Sequence, residues 1–418
     1  MKYSVSFFLI LLEVSLLFIS VSSLSRRNLK FKVVAPTLNN ADYNNQSLLA
    51  EWAKYKTKHG KGYNSSEDQT RFSNWLENSK EVSESKAHWN VTLNKFSDLS
   101  FDEKNITYLN YKHKTNRHAS PPLPLNHTSW VSKKTTILKQ NAGKLPASVD
   151  WRATGKVTPV KDQYKCGACW AFATVAALES LNLIMNSSAT NASSNFSEQQ
   201  HINCDTWNNG CDGGDPGLTM NWAFFNGTVS EVVYPYTSNR GVFDEGAASC
   251  NGLSSKSSFQ SFGANFVQEL DTTALMSAVA NQPVVVTVYA DYWFSYGGGI
   301  FSNCTSVEGI NDHVVLLVGY SNTTWIIKNS WGTDWGDGGF IYLDMTNPLC
   351  GAMISQEAVY PMAIKQTADL DPWCSYYGTS YCYDMDYFTY MFGKLPFFFF
   401  DFILFAFLLD NCFVTCGF

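Results

Sequence analysis

Charged residues are scarce in this chain. They make up 16% of its 418 residues, while hydrophobic residues make up 45%. Chains that stay disordered combine low hydrophobicity with high net charge, and this composition has neither property. The length allows two or three folded units and at least one full hydrophobic core. The composition therefore excludes a disordered chain and predicts a folded protein.

Paired metal-ligating motifs are also lacking. A structural zinc site needs a second Cys-x-x-Cys or a histidine pair, and a thioredoxin-like dithiol needs a βαβ setting. The sequence has one Cys-x-x-Cys, in the stretch KCGACWAF at 165–172, and neither context surrounds it. We therefore expect no metal site and no cofactor, and separate tasks for Cys166 and Cys169. Other cysteines stand singly, namely Cys204, Cys211, Cys250, Cys304 and Cys350.

The two ends of the chain differ in composition from the rest. Residues 1–23 contain a lysine, a long apolar run and small residues at the end, which is typical of a secretory signal; a short membrane anchor is the alternative. Residues 365–418 hold four further cysteines and a hydrophobic run at 395–409 that is short for a bilayer span. This tail stays unassigned between a membrane anchor, a removable propeptide and non-native sequence, so membrane association is open as well.

Secretion sets the expected state of the cysteines. Most of the eleven should pair in an oxidising compartment, which leaves an odd one over. Asn-x-Ser/Thr sequons occur throughout the chain, as expected of a glycoprotein in this pathway. They include those beginning at Asn45, Asn64, Asn90, Asn105, Asn126, Asn186, Asn191, Asn195, Asn226 and Asn322.

Charge divides the chain into a basic and an acidic part. Residues 24–144 contain 20 Lys/Arg against 10 Asp/Glu, a net charge of +10, whereas residues 145–364 contain 7 against 19, a net charge of −12. Two units of opposite charge in one polypeptide are expected to dock, although solvated faces also differ in charge by chance. The end of the basic part, 111–144, contains three prolines and many polar residues and is predicted to be an exposed linker.

Hydrophobic periodicity predicts an α+β fold. The basic part has apolar residues at helical spacing in 51–59 and 67–86, followed by a short strand and turn in VTLNKFSDL. The acidic part begins with helices and ends with strands, so its helices and sheet are segregated. Its predicted helices span 170–185 and 272–281, and its predicted strands span 284–289, 314–320, 324–329 and 339–344.

Cys169 and His313 are the candidate nucleophile and base. Cys169 lies at the first turn of a predicted buried helix, where backbone N–H groups and the helix dipole stabilise a thiolate. The acidic part has only two histidines. His201 lies in a polar helical turn and is predicted to be a surface residue. His313 begins a predicted strand and is favoured as the base over the alternative of a satisfied core histidine.

Three stretches together carry a family resemblance. PVKDQYKCGACWAF, NDHVVLLVGY and WIIKNSWGTDWGDGGF resemble, in this order, the cathepsin L-like members of the papain/cathepsin family of cysteine proteases. The likeness covers about 145–364 as the peptidase and 51–100 as an inhibitory prosegment with its ERFNIN helix, within a propeptide and linker of 24–144. It implies a papain-like two-domain peptidase, with a helical left domain, a β-barrel-like right domain and the active-site cleft between them, preceded by a helical prosegment.

The resemblance also implies the roles of individual residues. Cys169 is implied as the nucleophile, His313 as its ion-pair partner and Asn329 as the residue that holds the imidazole ring. The side chain of Gln163 and the backbone N–H of Cys169 are implied as the oxyanion hole. Substrate binding is implied for Gly213, Gly214, Asp312, Trp331 and Ser355.

The same resemblance implies the disulfide pairs. The sequence also differs from the family at several positions near the site. The implied pairs are Cys166–Cys211, Cys204–Cys250 and Cys304–Cys350. Tyr164 and Ala168 replace the glycine and serine that usually flank the nucleophile motif. The segment after Gly214 aligns ambiguously, so the wall of the specificity pocket is either Asp215–Pro216 or Leu218–Met220.

The sequence therefore predicts a secreted or lysosomal/vacuolar cysteine endopeptidase that is made as a zymogen and acts through an acyl-enzyme. Its expected partners are protein and peptide substrates, its own propeptide as inhibitor and cystatin-type inhibitors, but not nucleic acid. The alternative is a catalytically impaired papain-like binding or storage protein. The presence of Cys169, His313 and Asn329 favours the enzyme.

Overall fold

The structure, a computed structural model, describes four stretches of the chain: residues 45–109, 145–238, 249–305 and 311–363. The predicted signal segment, the linker 111–144 and the tail lie outside them. The chain divides into two compact units, Met1–Glu81 and Val82–Phe418. The boundary falls inside a helix, so the last described part of the predicted prosegment belongs to the same unit as the residues of the predicted peptidase.

The first unit contains a helical hairpin. It is formed by α1 (Gln46–Lys58) and by most of α2 (Ser65–Glu84). The ring of Trp52 lies 5.9 Å from that of Phe72 and 5.8 Å from that of Trp75, and all three side chains are buried. These helices account for the two segments of helical periodicity in the basic part.

The second unit opens with two short elements of the predicted prosegment. β1 (Asn90–Val91) pairs antiparallel with β5 (Tyr296–Gly298). α3 (Phe101–Tyr108) begins with a capping box, in which Ser100 Oγ accepts from the Glu103 N–H at 3.2 Å and the Glu103 carboxylate accepts from the Ser100 N–H at 2.8 Å. Apolar periodicity does not predict α3, but the Ser-x-x-Glu spacing is the signal that could have found it.

Three helices form the next part of the unit. They are α4 (Cys169–Met185), α5 (Glu198–Cys204) and α6 (Pro216–Asn226). α4 is buried on nearly every side, as its apolar sequence predicts. A short 3₁₀ turn, Gly210–Asp212, precedes α6, and a second one spans Ser254–Lys256.

Strands and two further helices complete the unit. The strands are β2 (Val149–Asp150), β3 (Ala264–Phe266), β4 (Val284–Val288), β6 (Ile300–Phe301), β7 (His313–Tyr320), β8 (Thr324–Lys328), β9 (Phe340–Asp344) and β10 (Ala358–Pro361), and the helices are α7 (Thr272–Val279) and α8 (Pro348–Ser355). The strand order is β3-β10-β4-β7-β8-β9-β6, with β2 also beside β7, and only the described pair β6–β9 is parallel. The α+β prediction is confirmed.

The central strand β7 lies between two hydrophobic clusters. Val314 and Leu316 belong to the cluster that includes α4, whereas Val315 and Leu317 belong to the cluster that includes the aromatic residues of the sheet side. Successive side chains of a strand point to opposite faces, so both faces of β7 are covered and its run is apolar without alternation. This packing holds β7, which begins at His313, against α4.

His201 is buried, and the prediction that it is a surface residue is wrong. Its side chain is 0% exposed, its ring lies 5.3 Å from the Trp222 ring, and its Nε2 is 3.3 Å from Thr228 Oγ1. The neighbouring Gln199 and Gln200 are buried as well, because their side-chain oxygens accept hydrogen bonds from loop backbone N–H groups. The polar helix α5 is therefore enclosed by a loop that it holds in place.

Among the described residues, no helix combines the length and the apolar character needed to span a bilayer.

Candidate active site

Cys169 occupies the first position of α4. It is fully buried, and it is the one cysteine of the described residues that is outside a disulfide. Ala168 precedes it and provides no side-chain cap, so the first backbone N–H groups of the helix have no such partner. The N-terminus of α4 therefore directs the positive end of the helix dipole towards the region of the thiol.

The other six cysteines of the described residues form three disulfides. Their pairs are those that the resemblance implied: Cys166–Cys211, Cys204–Cys250 and Cys304–Cys350. The first bond joins the loop before α4 to the 3₁₀ turn Gly210–Asp212, and the Trp170 Nε1–H donates to the Gly210 carbonyl at 3.1 Å. Cys166 is therefore a structural residue three positions before the candidate nucleophile.

His313 and Asn329 form a direct hydrogen bond. His313 Nε2 lies 2.8 Å from Asn329 Oδ1, and the histidine Nδ1 is buried with no hydrogen-bond partner among the described residues. Burial lowers the pKa of His313 to about 4, although the bond to Asn329 acts in the opposite direction. The imidazole is consequently neutral at neutral pH, with Nε2 as donor and Nδ1 directed away from Asn329.

Trp331 covers this pair. Its ring is fully buried and lies 4.9 Å from the His313 ring, with 31° between the planes. Trp293 approaches the same histidine edge-on at 6.5 Å. Both indoles exclude water from the His313–Asn329 hydrogen bond, which strengthens that bond electrostatically.

Gln163 is linked to Asn329 through Ser330. The Gln163 backbone N–H donates to the Ser330 carbonyl at 2.8 Å, and Ser330 Oγ donates to Gln163 Oε1 at 2.6 Å. The Ser330 backbone N–H in turn donates to Asn329 Oδ1 at 2.8 Å. Ser330 was not among the predicted site residues, although its place between Asn329 and Trp331 in the motif was a signal for it.

The amide of Gln163 binds backbone carbonyls. Its Nε2 donates to the carbonyl of Cys166 at 2.9 Å and to the carbonyl of Tyr108, at the end of α3, at 3.3 Å. Tyr108 lies in the predicted propeptide 24–144, so a backbone carbonyl of that segment accepts a hydrogen bond from the amide that is predicted to bind an oxyanion. Tyr164 follows in the left-handed region at φ 47°, and its side chain is 48% exposed.

The glycines Gly213 and Gly214 are buried beside the 3₁₀ turn. Gly213 has φ 104°, which a residue with a side chain rarely adopts. A Cβ on Gly214 would lie 2.7 Å from both Asn208 Oδ1 and Trp170 Cδ2. The absence of a side chain at Gly214 is thus required by internal packing, in addition to any approach by a substrate.

Asp312 and Ser355 have intramolecular partners. Asp312 Oδ1 accepts from the Ala290 N–H at 2.9 Å, and burial, reinforced by the neighbouring Asp291, raises the pKa of Asp312 to about 8. Ser355, the last residue of α8, is 1% exposed, and its hydroxyl donates to the Ala352 carbonyl at 3.3 Å.

The two alternatives for the pocket wall meet at the start of α6. Asp215 is the N-cap residue, and its Oδ1 accepts from the Leu218 N–H at 2.9 Å. Asp215 and Leu218 are both partly exposed, whereas Pro216 and Met220 are buried. The exposed members of both alternatives therefore lie on the same helix turn.

Comparison with known proteins shows the family. The model of the papain family cysteine proteases matches residues 145–362, which is more than half of the chain. The chain belongs to the papain family of cysteine proteases. A second model, that of the cathepsin propeptide inhibitor domain, matches residues 52–103.

Plant members of the family are similar to this chain over most of their own length. The KDEL-tailed cysteine endopeptidase CEP2 of Arabidopsis thaliana is 34% identical over 357 residues, which cover 80% of this chain and 93% of that protein. Vignain of Ricinus communis is 35% identical over 338 residues, covering 76% and 86%. The prediction of a cysteine-type endopeptidase with a propeptide is confirmed.

Solved proforms have the same fold. The proform of the cysteine protease Amb a 11, a major ragweed pollen allergen, aligns with a TM-score of 0.63 at 29% identity, covering 78% of this chain and 98% of that one. A recombinant stem bromelain precursor aligns with a TM-score of 0.61 at 27% identity, covering 76% and 100%. The prediction of a papain-like fold preceded by a helical prosegment is confirmed.

Proposed function

We propose that this papain-family protease cleaves peptide bonds through Cys169, His313 and Asn329. The observation that carries the proposal is the 2.8 Å bond from His313 Nε2 to Asn329 Oδ1, at the start of a strand packed on the helix that Cys169 begins. With Nε2 held by Asn329, Nδ1 is the ring atom that exchanges a proton with the thiol. Proton transfer from the thiol gives a thiolate at a helix N-terminus, and the thiolate in turn raises the pKa of the imidazolium.

The reaction then has two halves. The thiolate attacks the substrate carbonyl carbon, His313 gives its proton to the leaving amine, and the acyl-enzyme is hydrolysed by water with His313 as the base. The Cys169 backbone N–H and the Gln163 Nε2 stabilise the oxyanion, and one such donor contributes about 3–4 kcal/mol. The bond from Gln163 to the Tyr108 carbonyl at 3.3 Å supports this role.

We also propose the roles of the residues that bind substrate. Gly213 and Gly214 pair with the extended backbone, and Trp331 contacts the substrate on the side of His313. Ser355 contributes the floor of the specificity pocket, whose wall is the first turn of α6. Asp312 shapes the cleft next to His313.

The same bond to the Tyr108 carbonyl supports the propeptide as the protein's own inhibitor, because a prosegment residue then occupies the oxyanion position. We propose that the propeptide extends over 24–144 and is removed by cleavage in 111–144. A secretory signal at 1–23 and glycosylated sequons direct the zymogen to a vacuole, a lysosome or the exterior, and cystatin-type inhibitors block the mature enzyme. Expression with and without residues 1–23, followed by glycosidase treatment of the culture medium and the cells, tests the route.

The test of the mechanism compares the two neighbouring cysteines. Processed wild-type protein should hydrolyse a fluorogenic peptide and lose this activity to a thiol-trapping epoxide. Cys169→Ser should abolish hydrolysis and keep the stability, whereas Cys166→Ser should lower the free energy of unfolding by about 2–5 kcal/mol through the lost disulfide. Peptide binding without hydrolysis by the wild type would support the impaired binding or storage protein instead.

A further inference from the structure

Lys95 of the prosegment binds two carboxylates beside the active site. Its Nζ forms an ion pair with Asp162 Oδ2 and a second one with Asp334 Oδ1 at 3.1 Å. Asp162 directly precedes Gln163, and Asp334 lies three residues after Trp331. The Lys95 ammonium group therefore lies at the edge of the site, beside the loop that follows Asn329.

The backbone leaves room for this ammonium group. A Cβ on Gly332, which has φ +73°, would lie 3.0 Å from Lys95 Nζ, 2.8 Å from Asp162 Oδ2 and 3.0 Å from Asp334 Oδ1. Asp162 is fixed independently of Lys95, because its Oδ1 accepts from the Tyr164 N–H at 2.8 Å. The carboxylate is thus positioned by the peptidase itself.

An aromatic platform adjoins the two carboxylates. The rings of Phe294 and Trp331 are stacked at 4.7 Å with 7° between their planes. Phe96, the residue after Lys95, places its ring 5.3 Å from Phe294 and 5.4 Å from Trp331, edge-on to both. The dipeptide Lys95–Phe96 is therefore bound by two carboxylates and two aromatic rings.

The position of this surface relative to the scissile bond follows from the mechanism. His313 protonates the leaving amine, so the part of the substrate that follows the scissile bond lies on the His313 side. Trp331 is on that side, since its ring lies 4.9 Å from the His313 ring. Removal of the prosegment uncovers the carboxylates of Asp162 and Asp334 there, on a peptidase part with a net charge of −12.

We propose that Asp162, Asp334, Phe294 and Trp331 form a substrate subsite, here the basic–aromatic subsite, in the mature enzyme. It binds a Lys or Arg next to an aromatic residue, on the leaving-group side of the scissile bond. Lys95 and Phe96 precede Tyr108 in the chain, so the prosegment runs from this side towards the oxyanion position, opposite to a substrate, and the order of the pair in a substrate is left to the test. In the zymogen Lys95 and Phe96 occupy it. The inference rests on the proposed function, because it takes the side of the cleft from the role of His313.

The test uses processed enzyme and internally quenched peptides of one sequence, with alanines after the scissile bond. A Lys-Phe pair is placed at each successive position after that bond and compared with a norleucine-Phe pair. A Phe-Lys pair is compared in the same way with a Phe-norleucine pair, since norleucine has a similar length and no charge. At one position, kcat/KM should be about fivefold higher or more for lysine, since two partly exposed ion pairs form. The preference should shrink in high salt.

Variants of the protein assign the preference to the subsite. Asp334→Asn and Asp162→Asn should each lower the lysine-to-norleucine ratio severalfold, and asparagine at position 162 keeps an oxygen acceptor for the Tyr164 N–H. Asp344→Asn removes one carboxylate at the far end of β9 and should leave the ratio unchanged. A ratio near one at every position, or a ratio that both variants leave intact, would overturn the proposal.

The two proposals fail differently. Hydrolysis of the norleucine peptides that depends on Cys169, without any lysine preference, contradicts the subsite alone. Absence of all hydrolysis contradicts the proposed function, and the subsite is then decided by fluorescence anisotropy of the same peptides on processed Cys169→Ser protein. Equal affinity for lysine and norleucine peptides in that measurement rejects the subsite.

Discussion

At the scale of single residues, Tyr164 departs most clearly from its local preference. It adopts φ 47° directly after Gln163, where the family usually has glycine. The left-handed region costs a residue with a Cβ about 1–2 kcal/mol, because the Cβ approaches the following carbonyl oxygen. The sequence showed the substitution, but only the backbone geometry shows that strain accompanies it.

Tyr164→Gly should therefore raise the free energy of unfolding by about 0.5–1 kcal/mol. The gain is smaller than the strain, because glycine also increases the entropy of the unfolded chain. Urea titration of the zymogen measures the change. Tyr164→Ala serves as the control, since it removes the ring and keeps the Cβ, and it should give no gain. Equal stabilisation by both variants would assign the effect to the ring and contradict the explanation by strain.

At the scale of elements, a buried charge cluster connects α4 and α5. Lys161 Nζ lies 2.8 Å from Glu179 Oε1 on α4 and 2.7 Å from Glu198 Oε1 on α5. Both carboxylates are almost fully buried. Burial raises the pKa of Glu198 to about 7, although the charge of Lys161 lowers it in part. The two helices are therefore joined by a cation that neither of them contains.

Lys161→Met should lower the free energy of unfolding by about 3–5 kcal/mol at pH 8, because it removes the cation that pairs directly with both buried carboxylates. The remaining ammonium group, that of Lys328, is joined to Glu179 only through the Thr158 hydroxyl. Part of this loss should be recovered at pH 5. The folded pKa of Glu198 lies above its unfolded value, so its contribution is present at low pH and is lost as pH rises through about 7.

Denaturant titrations at both pH values measure the effect of Lys161→Met. Lys165→Met is the matched control, since Lys165 is exposed in the same segment and should change little. A loss in Lys161→Met that is the same at pH 5 and pH 8 would contradict the role given to Glu198.

At the scale of the whole molecule, buried titratable groups act on stability in opposite directions. Burial lowers the pKa of His201 to about 3 and that of His313 to about 4, so both histidines are neutral in the folded chain. Their contribution to the free energy of unfolding is fully present above pH 6.5, the ordinary pKa of histidine. It is lost as pH falls from there towards the lowered pKa values. Glu198 and Asp312 have raised pKa values and oppose this loss.

His201→Gln should make the folded protein less sensitive to acid. Between pH 7 and pH 5, the unfolded chain protonates His201 and the folded chain does not, which removes about 2 kcal/mol of stability from the wild type. The variant should lack this part of the loss. Urea titrations of the zymogen in a Cys169→Ser background provide the comparison, and His88→Gln, at an exposed histidine, is the control. The idea fails if wild type and His201→Gln lose the same stability over this pH range.

Local patterns predicted much of the fold. The helix α4 and the strands β4, β7, β8 and β9 follow from apolar runs bounded by turn residues, because hydrophobic periodicity is a property of neighbouring residues. The three motifs were sufficient to predict the family, and the paired cysteines followed from it. α3 escaped prediction because its eight residues have little apolar character, and its capping box was the only local signal.

The sequence by itself determined the family, the class of fold and the residues expected to react, because each of these is carried by a short continuous motif. Only the tertiary structure decided which polar groups meet. Lys95 and Asp162 are 67 residues apart, and the partners that enclose His201 lie in the later helix α6 and the loop that follows it. Burial of a polar side chain depends on such distant partners, since it is stable only when they supply its hydrogen bonds or its opposite charge. A local pattern contains no information about them.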